Sequence, residues 1–220
     1  MRTEHTGRAI AERAALEGAT VVISSRKPAN VDRVVAEIRG RGLKAEGIPA
    51  HMGKVEDIQR LIAETVRRLG RIDGLVSNAA VSPAMGPLTT LTEGEWDKIF
   101  SVNLKASWLL IKEAAPHLAT NASVLLVAST AAFAPTFPLG AYGVSKTALL
   151  GLTKALAQEL GPSGVRVNCL APGLIKTRFS EELWKNDEIS SRMVGSSYLG
   201  RIGTADEMGG NVALAVLDLE

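Results

Sequence analysis

Short β-branched, apolar runs alternate with stretches of helical period along the whole chain, and this alternation restricts its fold more than any other feature. The run at 19–24, ATVVIS, has the character of a parallel strand buried on both faces. It follows a helical pattern carried by Ala9, Ile10, Arg13, Ala14 and Leu16 and stopped by Gly18. The same reading predicts a helix over 31–39 ended by Gly40 and Gly42, a weak strand over 44–50, and a helix over 55–69 closed by Gly70. A strand at 74–78, helical stretches at 93–102 and 104–118, and a strand at 123–129 follow. The longest helix spans 141–160, a strand lies at 165–170, and a last helix covers 205–217. Strands separated by crossover helices make an α/β fold, here a single doubly wound parallel sheet in one domain over 1–220. Sheets of this kind begin on a strand, yet the first readable element is a helix. The leading MRTEHT is polar and charged, unlike a central parallel strand, so a first strand is expected to be lacking.

Composition narrows the function classes. With 46% hydrophobic and 22% charged residues among 220, the chain has the apolar content of one soluble domain with a sizeable core, which excludes a disordered or collagen-like chain. Lys and Arg number 25 against 23 Asp and Glu, and a formal charge of +2 sets up no field for nucleic acid. A lone cysteine, Cys169, forms no internal disulfide or cysteine metal cluster, so the expectation is an intracellular protein, and its place in a buried strand predicts an inert small hydrophobe. No apolar run approaches the ~18 residues of a bilayer span, so no membrane partner is expected. The opening residues lack a secretory apolar core, and Glu4, Glu12 and Glu17 argue against a transit peptide, leaving the cytoplasm as the expected compartment. His5, His51 and His117 fall on separate elements without metal-ligand spacing, so no metal is expected. Trp96, Trp108 and Trp184 read as core, interface or lid residues, and Asn121-Ala-Ser123 as a glycosylation sequon without access to the machinery.

Chemistry enters with Tyr142 and Lys146, four positions apart in the longest helix and hence one turn apart on one face. A phenol titrating near about 10 is a poor acid–base catalyst at neutral pH, and a neighbouring cation favours the phenolate. Ser129 stands at the carboxyl end of the preceding strand, where an α/β sheet presents polar groups to a ligand. Asn78 ends an earlier strand, Asn103 lies at the junction of two helical stretches, where a side-chain amide interrupts the backbone ladder, and Pro172-Gly173 follows the next strand.

In order and spacing, Asn78-Ala79-Ala80, Asn103, Ser129, Tyr142-Gly-Val-Ser-Lys146 and Pro172-Gly173-Leu-Ile175-Lys-Thr177 resemble the short-chain dehydrogenase/reductases. SSRK at 24–27, VSNAA, SKTALLGLTKALA and RVNCLAPGLIKT resemble the branch of animal NADP-dependent carbonyl/retinal reductases and plant tropinone-reductase-like enzymes. The resemblance implies a Rossmann-like sheet and hydride exchange between NADP(H) and a small carbonyl or secondary alcohol, with the hydride chemistry belonging to the cofactor. It implies that Tyr142 protonates the carbonyl oxygen, that Lys146 lowers the phenol pKa and holds the nicotinamide ribose, that Ser129 orients the carbonyl, and that Asn103 holds a relay water. Gly7, Asn78, Ala79, Pro172, Gly173, Ile175 and Thr177 are implied to line the cofactor. At the end of ATVVIS, Ser25 and Arg26 stand where NAD enzymes carry a carboxylate, and a guanidinium suits a 2′-phosphate, which favours NADP(H). His51 stands where the wider family has an Asp near the adenine.

Two departures from that pattern are expected to matter. Thr6-Gly7 matches only the end of the family's glycine loop, so the pyrophosphate donors of that loop are expected to be incomplete. At the other end, 217–220 stop inside the last helix, without the family's final strand or the peroxisomal signal that would make the peroxisome the alternative compartment. Two readings therefore stand: an NADP-dependent carbonyl reductase, or an impaired relative that keeps the fold for assembly. The helices at 104–118 and 141–160 are more apolar than one sheet face requires, which predicts a homo-oligomer, a dimer or tetramer.

Overall fold

The computed structural model describes residues 5–216, with side chains through residue 210. MRTE at the start and the expected chain end at 217–220 lie outside the described residues. Helix α1 (Thr6–Leu16) leads into β1 (Val21–Ile23), α2 (Pro28–Arg39), β2 (Ala45–Gly47) and α3 (Val55–Leu69). Gly70, at φ 87°, closes α3 in a conformation that side chains resist. Next come β3 (Ile72–Ser77), α4 (Glu93–Phe100), a π-helical turn (Ser101–Lys105) and α5 (Ala106–Ala114). Then follow β4 (Leu118–Val127), α6 (Gly140–Leu160) and β5 (Arg166–Leu170). The chain continues through β6 (Ile175–Lys176), α7 (Glu181–Trp184), α8 (Asp187–Gly195), β7 (Gly203–Thr204) and α9 (Ala205–Val216).

All strand pairs are parallel, and β4 shows why the sheet is covered on both faces. Val124 and Leu126 pack with Ile111 of α5 and Leu149 and Leu156 of α6, whereas Leu125 packs with Ile10 of α1 and Met208 of α9. Successive side chains point to opposite faces, so a strand with no polar residue over this stretch needs helices on both sides. The architecture is the doubly wound, Rossmann-like α/β fold expected from the alternation.

Within this fold the hydrogen-bonded strands form separate sets. β1 pairs with β2, β3–β4–β5 form a second ladder, and β6–β7 a third; among the described residues no strand bridges β1 and β3. A cavity of about 1680 Å³ is lined by consecutive residues of β1, Val21, Val22 and Ile23, and of β3, Leu75, Val76 and Ser77. Because alternate side chains face opposite ways, a cavity meeting every residue in turn meets the strand edges themselves. β4 also starts earlier than its apolar run. Asn121, at φ 67°, turns the backbone within it, and the β3–β4 register shifts between Ile72 and Gly74.

Candidate active site

The carboxyl ends of β4 and β5 are tied together just where the polar residues begin. The Ala128 N–H donates to the Leu170 carbonyl at 2.7 Å and the Thr130 N–H to the Pro172 carbonyl at 2.9 Å. Ser129 is thereby held beside Pro172-Gly173, and its Oγ accepts from the Ala131 N–H at 3.2 Å. Helix α6 comes up against this loop at Gly143, where an added Cβ would lie 2.7 Å from the Pro135 Cβ and 2.9 Å from its Cα. Glycine is required there by close approach, which packs the first turn of α6 against the loop that follows Ser129.

Lys146 is one of the most enclosed side chains, 2% exposed, and its Nζ donates to the Val127 carbonyl at 2.7 Å while standing 5.6 Å from the centre of the Tyr142 ring. Burial pushes the ammonium down to about 8. The phenol does not follow the expectation from the Tyr–Lys spacing. Burial pushes it up to about 12, and the Ser129 hydrogen bond opposes this only in part. Enclosure outweighs the nearby cation because the charged form of each group loses its hydration. Tyr142 therefore carries its proton at neutral pH, as a proton donor must.

Asn103 sits in the π turn and is fully buried. Its Oδ1 accepts from the Val81 N–H at 2.8 Å, and its Nδ2 donates to the Val81 carbonyl at 3.0 Å and to Ser145 Oγ at 3.0 Å. Its main-chain carbonyl accepts from Ser107 Oγ at 3.2 Å, and Ser107 in turn accepts from Ser77 Oγ at 2.9 Å. The residue does not itself line the cleft.

The other candidate catalytic and cofactor-binding residues lie along the 1680 Å³ cavity. Ser129, Tyr142 and Lys146 share it with Asn78 and Ala79 after β3 and with Pro172, Gly173, Ile175 and Thr177 after β5. Gly7, Ser25 and Arg26 line it too. Gly7 opens α1 so close to β3 that an added Cβ would lie 3.0 Å from Asn78 Nδ2. His51 also faces the cavity; its Nδ1 accepts from the Gly53 N–H at 2.9 Å, which leaves the ring proton on Nε2 when the ring is neutral.

Several contacts had no signal in the sequence. Thr177 is braced by Ser180, whose Oγ lies 3.1 Å from Thr177 Oγ1, and by Trp184, whose Nε1–H donates to the Thr177 carbonyl at 2.9 Å. Phe179 brings its ring 6.1 Å from that of Tyr142. The Ser180 and Trp184 braces depend on the fold of 175–184, where no regular period announces an element.

A sequence profile described as enoyl-(acyl carrier protein) reductase matches residues 4–219. Dehydrogenase/reductase SDR family member 4 of Bos taurus is 50% identical over 213 residues, 96% of this chain and 76% of the relative. The chain belongs to the short-chain dehydrogenase/reductase family. Tropinone reductase-like 3 of Erythroxylum coca is another short-chain relative, 44% identical over 216 residues, 98% of this chain and 83% of that protein. Among solved structures, a blue fluorescent protein from a metagenomic library, in complex with NADPH, superimposes with a TM-score of 0.88 at 26% identity, covering 97% of this chain and 87% of its own. The short-chain dehydrogenase/reductase fold therefore extends over nearly the whole chain.

Proposed function

We propose that this short-chain dehydrogenase/reductase is an NADP(H)-dependent carbonyl reductase in which Tyr142 is the acid–base residue. The observation that carries this reading is the convergence of Ser129, Tyr142 and Lys146 on one cleft, with the Lys146 Nζ 5.6 Å from the centre of the Tyr142 ring. When bound, NADPH supplies the hydride to the carbonyl carbon. Tyr142 donates its proton to the carbonyl oxygen, Ser129 orients that oxygen, and Lys146 holds its charge beneath the ring. Asn103 braces the loop at Val81 from outside the cleft.

The cleft suits a dinucleotide phosphate. Gly7 lets α1 open against Asn78 with no side chain between them, and the exposed Arg26 guanidinium follows β1 on the cavity wall. The NADPH-bound structural neighbour and the NADP-dependent branch that the sequence resembles support the same cofactor. Arg26→Asp is expected to lower the preference for NADPH over NADH by at least about tenfold, since a carboxylate repels the 2′-phosphate and accepts from a ribose hydroxyl. The ratio of kcat/KM for the two cofactors checks this, and an unchanged ratio would remove Arg26 from cofactor selection.

One observation favours the second reading, a fold kept for assembly with little turnover: among the described residues no strand pairs with the facing edges of β1 and β3 beside the cleft. Titration of the 220-residue chain with NADPH, followed by fluorescence, separates the two. Micromolar binding with carbonyl turnover supports the reductase; absence of both supports the alternative.

For partners and place, the proposal is a small carbonyl or alcohol substrate, a homo-oligomer and a cytoplasmic location. Among the described residues no helix is long and apolar enough to cross a membrane. Trp108 on α5 is 43% exposed and shares an apolar hollow with Phe100, Leu104 and, from α6, Leu152. Exposed aromatic surface continuous across two helices suits a two-fold contact between copies. Light scattering is expected to show a dimer or tetramer, and Trp108→Glu to shift it towards monomer; a monomeric parent chain would contradict the assignment.

A further inference from the structure

Ser145 lies between the catalytic tyrosine and lysine in sequence, is fully buried, and reaches no cavity. Its hydroxyl donates to the Tyr142 carbonyl at 2.7 Å. That bond uses its only proton, so towards Asn103 the same oxygen acts as acceptor, taking the Nδ2 hydrogen at 3.0 Å. Asn103 has no spare side-chain donor, because its other amide hydrogen goes to the Val81 carbonyl, and its Oδ1 accepts from the Val81 N–H. Val81 lines the cleft a few residues beyond Asn78. The three residues thus form one buried strap, running from the loop after β3 through the π turn to the turn of α6 that carries Tyr142.

We propose that Ser145 is a positioning residue, which sets the first turn of α6, and with it the Tyr142 phenol, against the Asn103–Val81 side of the cleft. It acts without touching substrate or cofactor. The physical basis is the absence of slack: the side-chain polar atoms of Asn103 and Ser145, both fully buried, each have a partner at 2.7–3.0 Å. Such a network has one satisfied arrangement, and removing a central hydroxyl leaves the Asn103 amide hydrogen without its acceptor. The freed amide then competes for other acceptors and the Tyr142 turn loses its tether. Small displacements of an acid from its reactive geometry are costly to rate, whereas ground-state binding is less sensitive.

The inference rests on the reductase reading for its kinetic arm and is independent of it in its spectroscopic arm. The chain has two tyrosines, Tyr142 and Tyr198, so ¹³Cζ-tyrosine labelling gives a two-line spectrum that Tyr142→Phe assigns. Ser145→Ala is expected to move the Tyr142 resonance and leave that of Tyr198 in place. It should also lower kcat by about tenfold to a hundredfold while the KM for the carbonyl and the Kd for NADPH stay within about twofold. Ser145→Thr, which keeps the hydroxyl, is expected to recover most of kcat. Ser145→Cys, of similar volume but with a weak donor and acceptor, should show the alanine signature and serves if the alanine variant does not fold. An unmoved Tyr142 resonance, or an unchanged kcat in an active parent, would overturn the assignment. If the parent reduces no carbonyl, the reductase reading fails, and the resonance alone decides the role of Ser145.

Discussion

Tyr142→Phe is expected to lower carbonyl reduction by about a hundredfold to ten-thousandfold while NADPH binds within about twofold of the parent chain. The substitution removes one oxygen and its proton. It leaves the ring beside Phe179 and the Lys146 hydrogen bond to the Val127 carbonyl untouched. Single-turnover measurement with NADPH in excess checks the loss, and binding titration checks that the cleft survives. The pH dependence has a defined sign. The phenol, raised to about 12, keeps its proton through the accessible range, so the group that changes charge first is Lys146, at about 8. The rate of reduction is therefore expected to fall as pH rises through about 8, where the cation beneath the ring is lost.

Lys146→Met carries the second large effect, and it acts in opposite directions on stability and activity. Burial pushes the amine from its ordinary 10.5 down to about 8 in the folded chain, so folding favours its neutral form. Between these values the unfolded chain binds more protons, and stability from this group rises with pH across the window. Below about 8 both states are protonated and the full penalty applies, about 3 kcal/mol from the size of the shift. Methionine removes that penalty but leaves the Val127 carbonyl without its donor, so a net gain of about 2 kcal/mol is expected at pH 7, or roughly 4–8 °C in Tm. The gain should shrink as pH rises from 8 to 10.5 and end as a loss of about 1 kcal/mol, the cost of the orphaned carbonyl. Thermal melts at pH 7 and pH 10 test the sign, and a variant that melts below the parent at pH 7 would refute the buried-charge account. Loss of turnover in the same protein would show a cation kept at a cost to the fold, as functional sites often require.

Much of this was legible in the chain because its cause is local. The αβ alternation follows from strands with no polar face, and α6 was readable from end to end because its apolar positions recur at helical spacing over Gly140–Leu160. Tyr142, Lys146 and Ser129 stood out because strand ends and helix faces are sequence-readable positions, and Asn103 because two helical patterns break there. What stayed hidden depends on distance. The direction of the Tyr142 shift is set by enclosure, which no four-residue spacing reports. The role of Ser145 has no local signal, since its partner Asn103 lies 42 positions away in the chain. Trp184 reads as a lid residue by position, but its bond to Thr177 exists only once α7 has folded back on β6. That the edges of β1 and β3 lie in separate ladders depends on pairings that no single segment shows. The cavity that runs from those edges to the catalytic side chains was visible only in three dimensions.

The most direct test of the central claim is to mix the purified chain with saturating NADPH and a panel of aldehydes and ketones, following both NADPH absorbance and the alcohol formed. The account predicts alcohol equal to NADPH consumed, with both signals lost in Tyr142→Phe and retained in a surface control such as Arg71→Ala. NADPH bound without any alcohol formed, or equal turnover in Tyr142→Phe, would contradict it.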